Sequence, residues 1–402
     1  MMPTRPLRVL VTGATGFIGG RLCEVMALTG AYETRAFVHS TASAWRITRL
    51  PIEFWVGDLT DRQTVDRAVR GCDAIIHLAR GGRPVMQTGL ENLLRAARVH
   101  GIRRFVHVSS VAVYGDDPAP ESVSEDAPAR PNGSAYGREK LEQERRVLRS
   151  HHRFGLPTVI LRPPNVYGPF SWFTLNVLNK VRAGMLPIVD GGRNPCNLVG
   201  VDNLVYAMFL ALDRADAVGE TFFITDGQPV TWERCLTDHG RLLGVSVPRV
   251  SSADLLPPQP AERPVRDSLK ALVRVLPAGE FRSVLRQIPI FRLAESRLYE
   301  WFEGLPEATR DRLRAAVTAA PAVQASERRF SAADGLVASQ RRTVAHSVEK
   351  AHRLLGYTPP VSYDEGMAVA AAWLRFARAI PEPSADAAVE PVPVISFQSK
   401  AR

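Results

Sequence analysis

The stretch LRVLVTGATGFIGGRLCEVMALTG, Leu7 to Gly30, decides the fold. LRVLVTG (7–13) holds a short apolar run, which suits a strand buried on both faces. After it, in GFIGGRLCEVMALTG, apolar residues recur at helical spacing. Gly13, Gly16 and Gly19 stand at strand end, turn and helix start. Any tight strand-to-helix turn favours glycine. In this context the triplet also leaves backbone N–H groups and a helix N-terminus open to a pyrophosphate, with no Cβ in the way. Gly13, Thr15, Gly16, Phe17, Ile18 and Gly19 are therefore the candidate phosphate loop.

Outward from that loop the alternation continues. TRAFVH (34–39), IEFWVGDL (52–59), DAIIHLA (73–79) and RRFVHVSS (103–110) read as strands. GLENLLRAARVHG (89–101) and YGREKLEQERRVLRSH (136–151) read as helices, and TVILRPPNVYG (158–168) as a sixth strand and its loop. Such a rhythm predicts an α/β chain: a Rossmann-type doubly wound parallel sheet with helices on both faces, its ligands at the carboxyl ends of the strands. An NAD site usually has an acid at the end of the second strand, accepting from the ribose 2′-hydroxyl. Here His39 stands there, followed by Ser40, Ser43 and Arg46, which suit a 2′-phosphate. The cofactor is read as NADP or NAD, with the balance toward NADP. Asp58 ends the third strand, where it can meet the adenine amino group; Thr60 or Asp61 fits the following helix N-cap better.

Beyond about residue 170 the rhythm changes. The reading gives a dinucleotide-binding domain over 1–170, to which later segments return, and a smaller C-terminal α/β substrate-binding part over 171–256 and 346–380. An arginine-rich helical insert spans 257–345, and a Pro-, Ala- and acid-rich disordered tail spans 381–402. The insert reads as a lid over the substrate cleft. Its alternative is a peripheral membrane or partner surface, since basic helices with Leu, Phe and Trp can lie at an interface.

The chemistry concentrates between Ser110 and Lys140. Tyr136 and Lys140 are four apart on a predicted helix, so they share a face. A free phenol has a pKa of about 10 and is a poor base at neutral pH. A nearby ammonium favours phenolate and lowers that value. The tyrosine can then exchange a proton with a carbinol or carbonyl, while a serine hydroxyl at a strand end holds the same oxygen. Tyr114 has Pro118 four residues on instead of a lysine. The polar loop between the serine and the tyrosine reads as a wall of the pocket.

TGATGFIG, GDLTD, HLA, VSSVAVYG, YGREK, LRPPNVYGP and VDNLV follow in that order, closed by SVEKAHRLLGYTPPVSYDEG. Over residues 7–250 and 347–377 the chain thereby resembles the extended short-chain dehydrogenases/reductases of the NAD-dependent epimerase/dehydratase type. The resemblance implies Ser110, Tyr136 and Lys140 as the catalytic trio, with Lys140 also holding the nicotinamide ribose. It favours Ser110 over Ser109, because the family's serine stands five residues before the glycine of VYG, here Gly115. It further implies cofactor contacts at Leu59, Leu78, Ala79, Pro163 and Val166, and substrate contacts at Arg80, Val111, Asn165 and Arg193. A homodimer through helices 89–100 and 136–151 is also implied.

Three departures narrow the chemistry. The family's dehydratases place an Asp-Glu pair after the catalytic hydroxyl; here Val111 and Ala112 stand there, which argues against sugar 4,6-dehydration. Cys196 stands where nucleotide-sugar enzymes commonly carry a diphosphate-binding arginine, with Arg193 three residues away. Met86 stands where the family asparagine supports the lysine through water, with Gln87 the neighbour that would replace it.

What remains is an NAD(P)-dependent oxidoreductase acting on a secondary alcohol or ketone of a small molecule. The alternatives are a nucleotide-sugar epimerase working through a transient ketone, and a non-catalytic cofactor-binding scaffold, against which the retained Tyr136 and Lys140 argue. The net charge of +10 comes from arginines spread along the chain, with no nucleic-acid motif, so no nucleic-acid partner is expected. No apolar run reaches a membrane span, the start does not read as a signal peptide, and four separated cysteines give neither a disulfide framework nor a metal site. These features predict a cytoplasmic protein.

Overall fold

The apolar runs form the strands of a parallel sheet, and their residues alternate between its two faces. In the computed structural model, which describes residues 6–256 and 330–381, the strands up to residue 162 are β1 (Leu7–Thr12), β2 (Tyr32–Val38), β3 (Glu53–Val56), β4 (Ala74–His77), β5 (Arg104–Val108) and β6 (Thr158–Arg162). Short strands β7 (Asn165–Tyr167), β8 (Ile188–Val189) and β9 (Leu198–Gly200) follow, then β10 (Thr221–Phe223) and β11 (Arg249–Val250). The main sheet has seven strands in the order β10-β6-β5-β4-β1-β2-β3. All its pairings are parallel. β7 pairs with β9 and β8 with β11 in two small sheets. The loop expected after the sixth strand thus contains a strand of its own.

The helices of eight residues or more are α1 (Phe17–Thr29), α2 (Arg62–Val69), α3 (Leu90–Val99), α4 (Ala135–Phe154), α5 (Trp172–Arg182), α6 (Val201–Asp213), α7 (Trp232–Leu243) and α8 (Tyr363–Phe376) among the described residues. Val9, Val11, Val106 and Val159 pack with Leu22 and Met26 of α1 and Leu204 and Met208 of α6. Leu10, Ile75, Phe105 and Ile160 point the other way, to Val65 of α2, Leu93 of α3 and Val147 of α4. The period of two along each strand therefore builds one core on each face. α6 and β10 serve this main sheet, although they lie beyond residue 170. Arg21 of α1 also donates from Nε to Asp202 of α6 at 2.7 Å. A separate cluster joins Leu178 of α5 with Ala371 and Leu374 of α8, and Leu242 of α7 packs against it.

The chain divides into two units, Met1–Asp254 with Asp334–Arg402, and Leu255–Ala333. In the second, Leu256 and Ser331 form an isolated parallel bridge. The helical reading of 257–329 and the tail after Pro381 lie outside the described residues. From Asp334 the chain is part of the first unit: the Gln340 side chain accepts from Val189 N at 2.9 Å and donates to Pro187 O at 2.8 Å. Among the described residues no helix is long and apolar enough to cross a membrane.

α4 is fixed to the sheet by a buried ion pair. Arg162, ending β6, donates from Nε and Nη2 to the Glu144 carboxylate at 2.9 and 2.7 Å, and from Nη1 to the Tyr114 hydroxyl at 2.6 Å. The two charged side chains are 8% and 2% exposed, so removing one leaves the other uncompensated in a low dielectric. We expect Glu144→Ala to cost about 3–5 kcal/mol. The check is urea unfolding: the midpoint falls while the slope is kept, and an unmoved midpoint contradicts the assignment.

Candidate active site

The turn between β1 and α1 shows why its glycines are spaced as they are. Gly13 has φ +72°, and a Cβ there would lie 2.7 Å from the Leu78 carbonyl carbon, so this turn packs directly on the HLA segment after β4. A Cβ at Gly19 would fall 2.2 Å from Gly13 O, which brings α1 hard against the strand end. Gly16 is exposed and is the N-cap of α1; no side chain caps the helix and its first turn has no acid. Thr15, Phe17 and Ile18 are half-buried around it. Uncapped N–H groups, the positive end of a helix and a cradle that Cβ atoms would fill are the donor set a dinucleotide pyrophosphate requires. The turn also lies where strand order reverses, with β2 on one side of β1 and β4 on the other.

The adenosine side is partly as expected. His39 is exposed after β2. Arg46, expected beside it, is committed elsewhere: its guanidinium is paired with Glu24 at 2.9 and 3.1 Å and lies 4.2 Å over the Phe170 ring. Of the four polar groups offered for a 2′-phosphate, His39, Ser40 and Ser43 remain. Asp58 is exposed, and the hydrogen bond it accepts from Thr60 N at 2.8 Å holds its carboxyl below the usual range. Asp61 caps α2 by accepting from Gln63 N. Leu59 is buried, and its carbonyl accepts from Asn92 of α3 at 3.0 Å, which anchors this loop. Leu78 N donates to Thr12 O, continuing the β1–β4 pairing as far as the phosphate turn.

Ser110, Tyr136 and Lys140 come together at the carboxyl end of β5. Ser110 starts a 3-10 turn (Val111–Tyr114), and its Oγ accepts from Ala112 N at 3.2 Å. Ser109 is buried, 3% exposed, whereas Ser110 is half-buried and its hydroxyl is near enough to the Tyr136 phenol to favour the ionised form. Gly137 makes this approach possible, because a Cβ there would lie 2.0 Å from Ala112 O. Nothing in the sequence reading singled Gly137 out, although it sits inside the YGREK motif. Lys140 is 4% exposed and donates from Nζ to Val108 O at 2.9 Å. Burial pulls its ammonium down to about 8, against the nearby Glu144 carboxylate, while Arg80 pushes the same way as burial.

Tyr136 behaves differently from the expectation that Lys140 lowers its pKa. Burial raises the phenol above its usual value. The groups that oppose burial are Arg80 and the Ser110 hydroxyl, and Glu139 reinforces it. The physical reason is direction: Lys140 spends its ammonium on the β5 carbonyl, whereas the Arg80 guanidinium lies 4.7 Å from the centre of the Tyr136 ring. Tyr114 is buried by contrast and is pushed up to about 12 by that burial, hydrogen-bonded between Arg162 and Glu125 O.

Behind Lys140 the sheet carries a row of buried polar groups. Thr12, His77 and His107 are register partners across β1, β4 and β5. Thr12 Oγ1 and His77 Nδ1 are 2.7 Å apart, and the two imidazoles stack at 5.4 Å. Met86, standing in the place of the family asparagine, lies in a π-helical turn (Val85–Gly89). Its carbonyl accepts from Gln143 Nε2 of α4 at 2.9 Å.

The substrate side is built from distant segments. Val111 is half-buried; neither it nor Ala112 ionises. Asn165 and Arg193 are exposed, Pro163 O accepts from Val111 N at 3.2 Å, and Val166 O accepts from Ser171 Oγ at 2.7 Å. Cys196 is buried against Cys235, which excludes it as a surrogate for a diphosphate-binding arginine. A cleft lined by Asn197, Thr225, Gln228 and His346 contains none of the glycine-loop or trio residues. Among the described residues no group of three or more His, Cys, Asp or Glu could hold a metal ion.

A glycine turn from strand to helix, with a serine, a tyrosine and a buried lysine at the strand ends of the same parallel sheet, defines a Rossmann-like chain. The chain belongs to the NAD dependent epimerase/dehydratase family, whose model matches residues 9–224. It is 32% identical over 243 residues to the 4-hydroxy-2-methyl-3-oxo-4-farnesyl-3,4-dihydroquinoline-1-oxide ketoreductase of Stigmatella aurantiaca, covering 58% of this chain and 72% of that one. It is 31% identical over 255 residues to the dTDP-glucose 4,6-dehydratase of Streptomyces niveus, covering 56% and 74%. The solved UDP-glucuronic acid 4-epimerase from Bacillus cereus, in complex with UDP-glucuronic acid and NAD, shares the fold with a TM-score of 0.61 at 19% identity, over 92% of this chain and 100% of that one. The family thus includes reductases, dehydratases and epimerases.

The buried imidazoles give a signed pH dependence. Burial pulls His77 from 6.5 down to about 3 and His107 well below its usual value, and His346 to about 4. All three stay neutral in the folded chain while the unfolded chain protonates, so protons are taken up on unfolding below 6.5. Stability should be complete above that value and fall as the pH drops toward 3. Urea midpoints measured down that range check it, and His107→Leu should flatten the slope.

Proposed function

We propose that the protein is an NAD(P)-dependent oxidoreductase that moves hydride at a secondary alcohol or ketone of a small molecule. The observation that carries this reading is the placing of Ser110, at the carboxyl end of β5, beside the Tyr136 phenol, one helical turn from buried Lys140, whose Nζ donates to Val108 O of the same strand end. When bound, the nicotinamide ring supplies or accepts the hydride. The chain's own residues then handle the proton and the oxygen. In reduction the Tyr136 hydroxyl gives its proton to the carbonyl oxygen as that oxygen gains charge, and the Ser110 hydroxyl donates a second hydrogen bond to it. Lys140 contributes a positive charge behind the pair and a donor for the nicotinamide ribose. Gly13, Gly16 and Gly19 hold the pyrophosphate, and Asp58 meets the adenine.

The ketoreductase relative supports a net redox reaction, and Val111 and Ala112 argue against elimination of water because neither can carry a proton. An epimerase would need the same trio; it returns its hydride and consumes no cofactor, which separates the two by nicotinamide absorbance. His39, Ser40 and Ser43 support NADP over NAD, a preference that kcat/KM for the two coenzymes measures.

Tyr136→Phe removes the transferable proton and little else. Turnover should fall by about 100- to 10,000-fold, with the dissociation constant for the coenzyme, measured by calorimetry, nearly unchanged. Activity at the wild-type level in this variant rejects the mechanism.

A further inference from the structure

We infer that Arg80 is a positioning residue of this site: its guanidinium, stacked on the face of Tyr136, supplies the positive field that the reacting phenol feels, a part usually given to the lysine one turn along the helix. The inference rests on Tyr136 being the proton-transfer residue. It assigns to this chain a second cation at the reacting oxygen.

Three observations converge on it. First, the Arg80 guanidinium carbon lies 4.7 Å from the Tyr136 ring centre, within range for a cation over an aromatic face. A phenolate spreads its charge into that ring, so a cation there stabilises the ionised form more than the neutral one. Second, among the described residues Arg80 has no ion pair and no hydrogen bond, so no carboxylate is bound to it directly. Arg162, Arg46 and Arg35 are by contrast all paired with glutamates. Third, Lys140 donates to Val108 O and has the Glu144 carboxylate near it, so its charge is largely spoken for.

Arg80 directly follows the HLA segment that packs on Gly13 and opens the short loop RGGRP (80–84), which tethers it at the strand end beside the cofactor turn. The other groups facing this pair are Ser110 from the 3-10 turn and Glu139 on α4. His77 and His107, from β4 and β5, and the Glu144–Arg162 pair between α4 and β6 face Lys140. Both imidazoles are neutral, Glu144 is shared between Arg162 and Lys140, and Glu139 opposes Arg80 without an ion pair to it, so Arg80 is the cation that lies over the Tyr136 ring. A cation's removal raises the pKa of every neighbour, so loss of Arg80 should raise Tyr136 and Lys140 together.

The test reads the tyrosine itself and needs no substrate. Full-length protein carrying tyrosine labelled with carbon-13 at Cζ is titrated by NMR, with the Tyr136 resonance assigned by its loss in Tyr136→Phe. Arg80→Met should raise the Tyr136 titration by about one unit, a tenfold loss of phenolate at a given pH. Arg80→Lys should restore most of it, and Lys140→Met should move it less than Arg80→Met does. A Tyr136 resonance unmoved in Arg80→Met, or moved more by Lys140→Met, overturns the inference. If Arg80→Met does not fold, salt serves on the wild-type protein: Arg80 is exposed, so about 1 M salt should screen it and raise the Tyr136 titration, and no rise overturns the inference. If Tyr136→Phe keeps full turnover while Arg80→Met shifts the resonance, the proposed reaction fails and the Arg80 assignment stands.

Discussion

A lysine ammonium that is 4% exposed is the constraint around which this molecule is arranged. A buried charge costs several kcal/mol, of order 2–5, unless it is paired and hydrogen-bonded. Here Val108 O accepts from it, and Glu144, four residues along the same helix, supplies the opposite sign. Glu144 is in turn held by both arms of Arg162, and Arg162 also reaches Tyr114. Thus the ends of β5 and β6, the turn after β5 and α4 share one electrostatic network. The position of Tyr136 follows from it. Once α4 is pinned by Lys140 and Glu144, its first turn must lie against Ala112 O, and only a residue without a Cβ at 137 allows that contact.

The two halves of the site are joined through β4. On one side its end packs on the Gly13 turn, where the missing Cβ leaves room for the Leu78–Ala79 backbone. On the other, His77 stacks on His107 directly behind Lys140. Arg80, three residues beyond His77, lies over Tyr136. A single strand end therefore fixes the separation between the glycine turn and Tyr136. The proposed hydride transfer would need that separation held to about 0.5 Å, and rigid elements hold it better than loops.

The parts of this site that could be read in the sequence are short-range. Glycines three apart at a strand-to-helix turn, and Tyr136 with Lys140 one helical turn apart, declare their geometry through the periodicity of the element that carries them. The choice of Ser110 over its neighbour came from resemblance, and the buried Ser109 side chain supplies a physical reason for it. What escaped depends on contacts between segments. Gly137 is needed only because of Ala112, and Gln143 meets Met86 only after α4 has packed. The cation over the Tyr136 ring is not Lys140, four residues away on the same helix, but Arg80, fifty-six positions earlier in the loop after β4. Arg46 was offered to the coenzyme because nothing local shows that Glu24 claims it.

The same distinction explains why the family is clear and the substrate is not. The loop between Ser110 and Tyr136 does not hang free: Asp116 N bonds Asn132 O, and Gly115 could not bear a Cβ without striking that same stretch. Its far side is tied by Arg342 to Asp116 O, 226 positions apart, by His346 to Ser122 O, and by Glu125 to the backbone of Phe223. A wall assembled from segments so distant in the chain has no local period and no motif spacing. Its shape is an outcome of the whole fold. The end that holds the glycine turn, Tyr136 and Lys140, by contrast, is set within single turns of helix and strand, and so it is the end that a sequence displays.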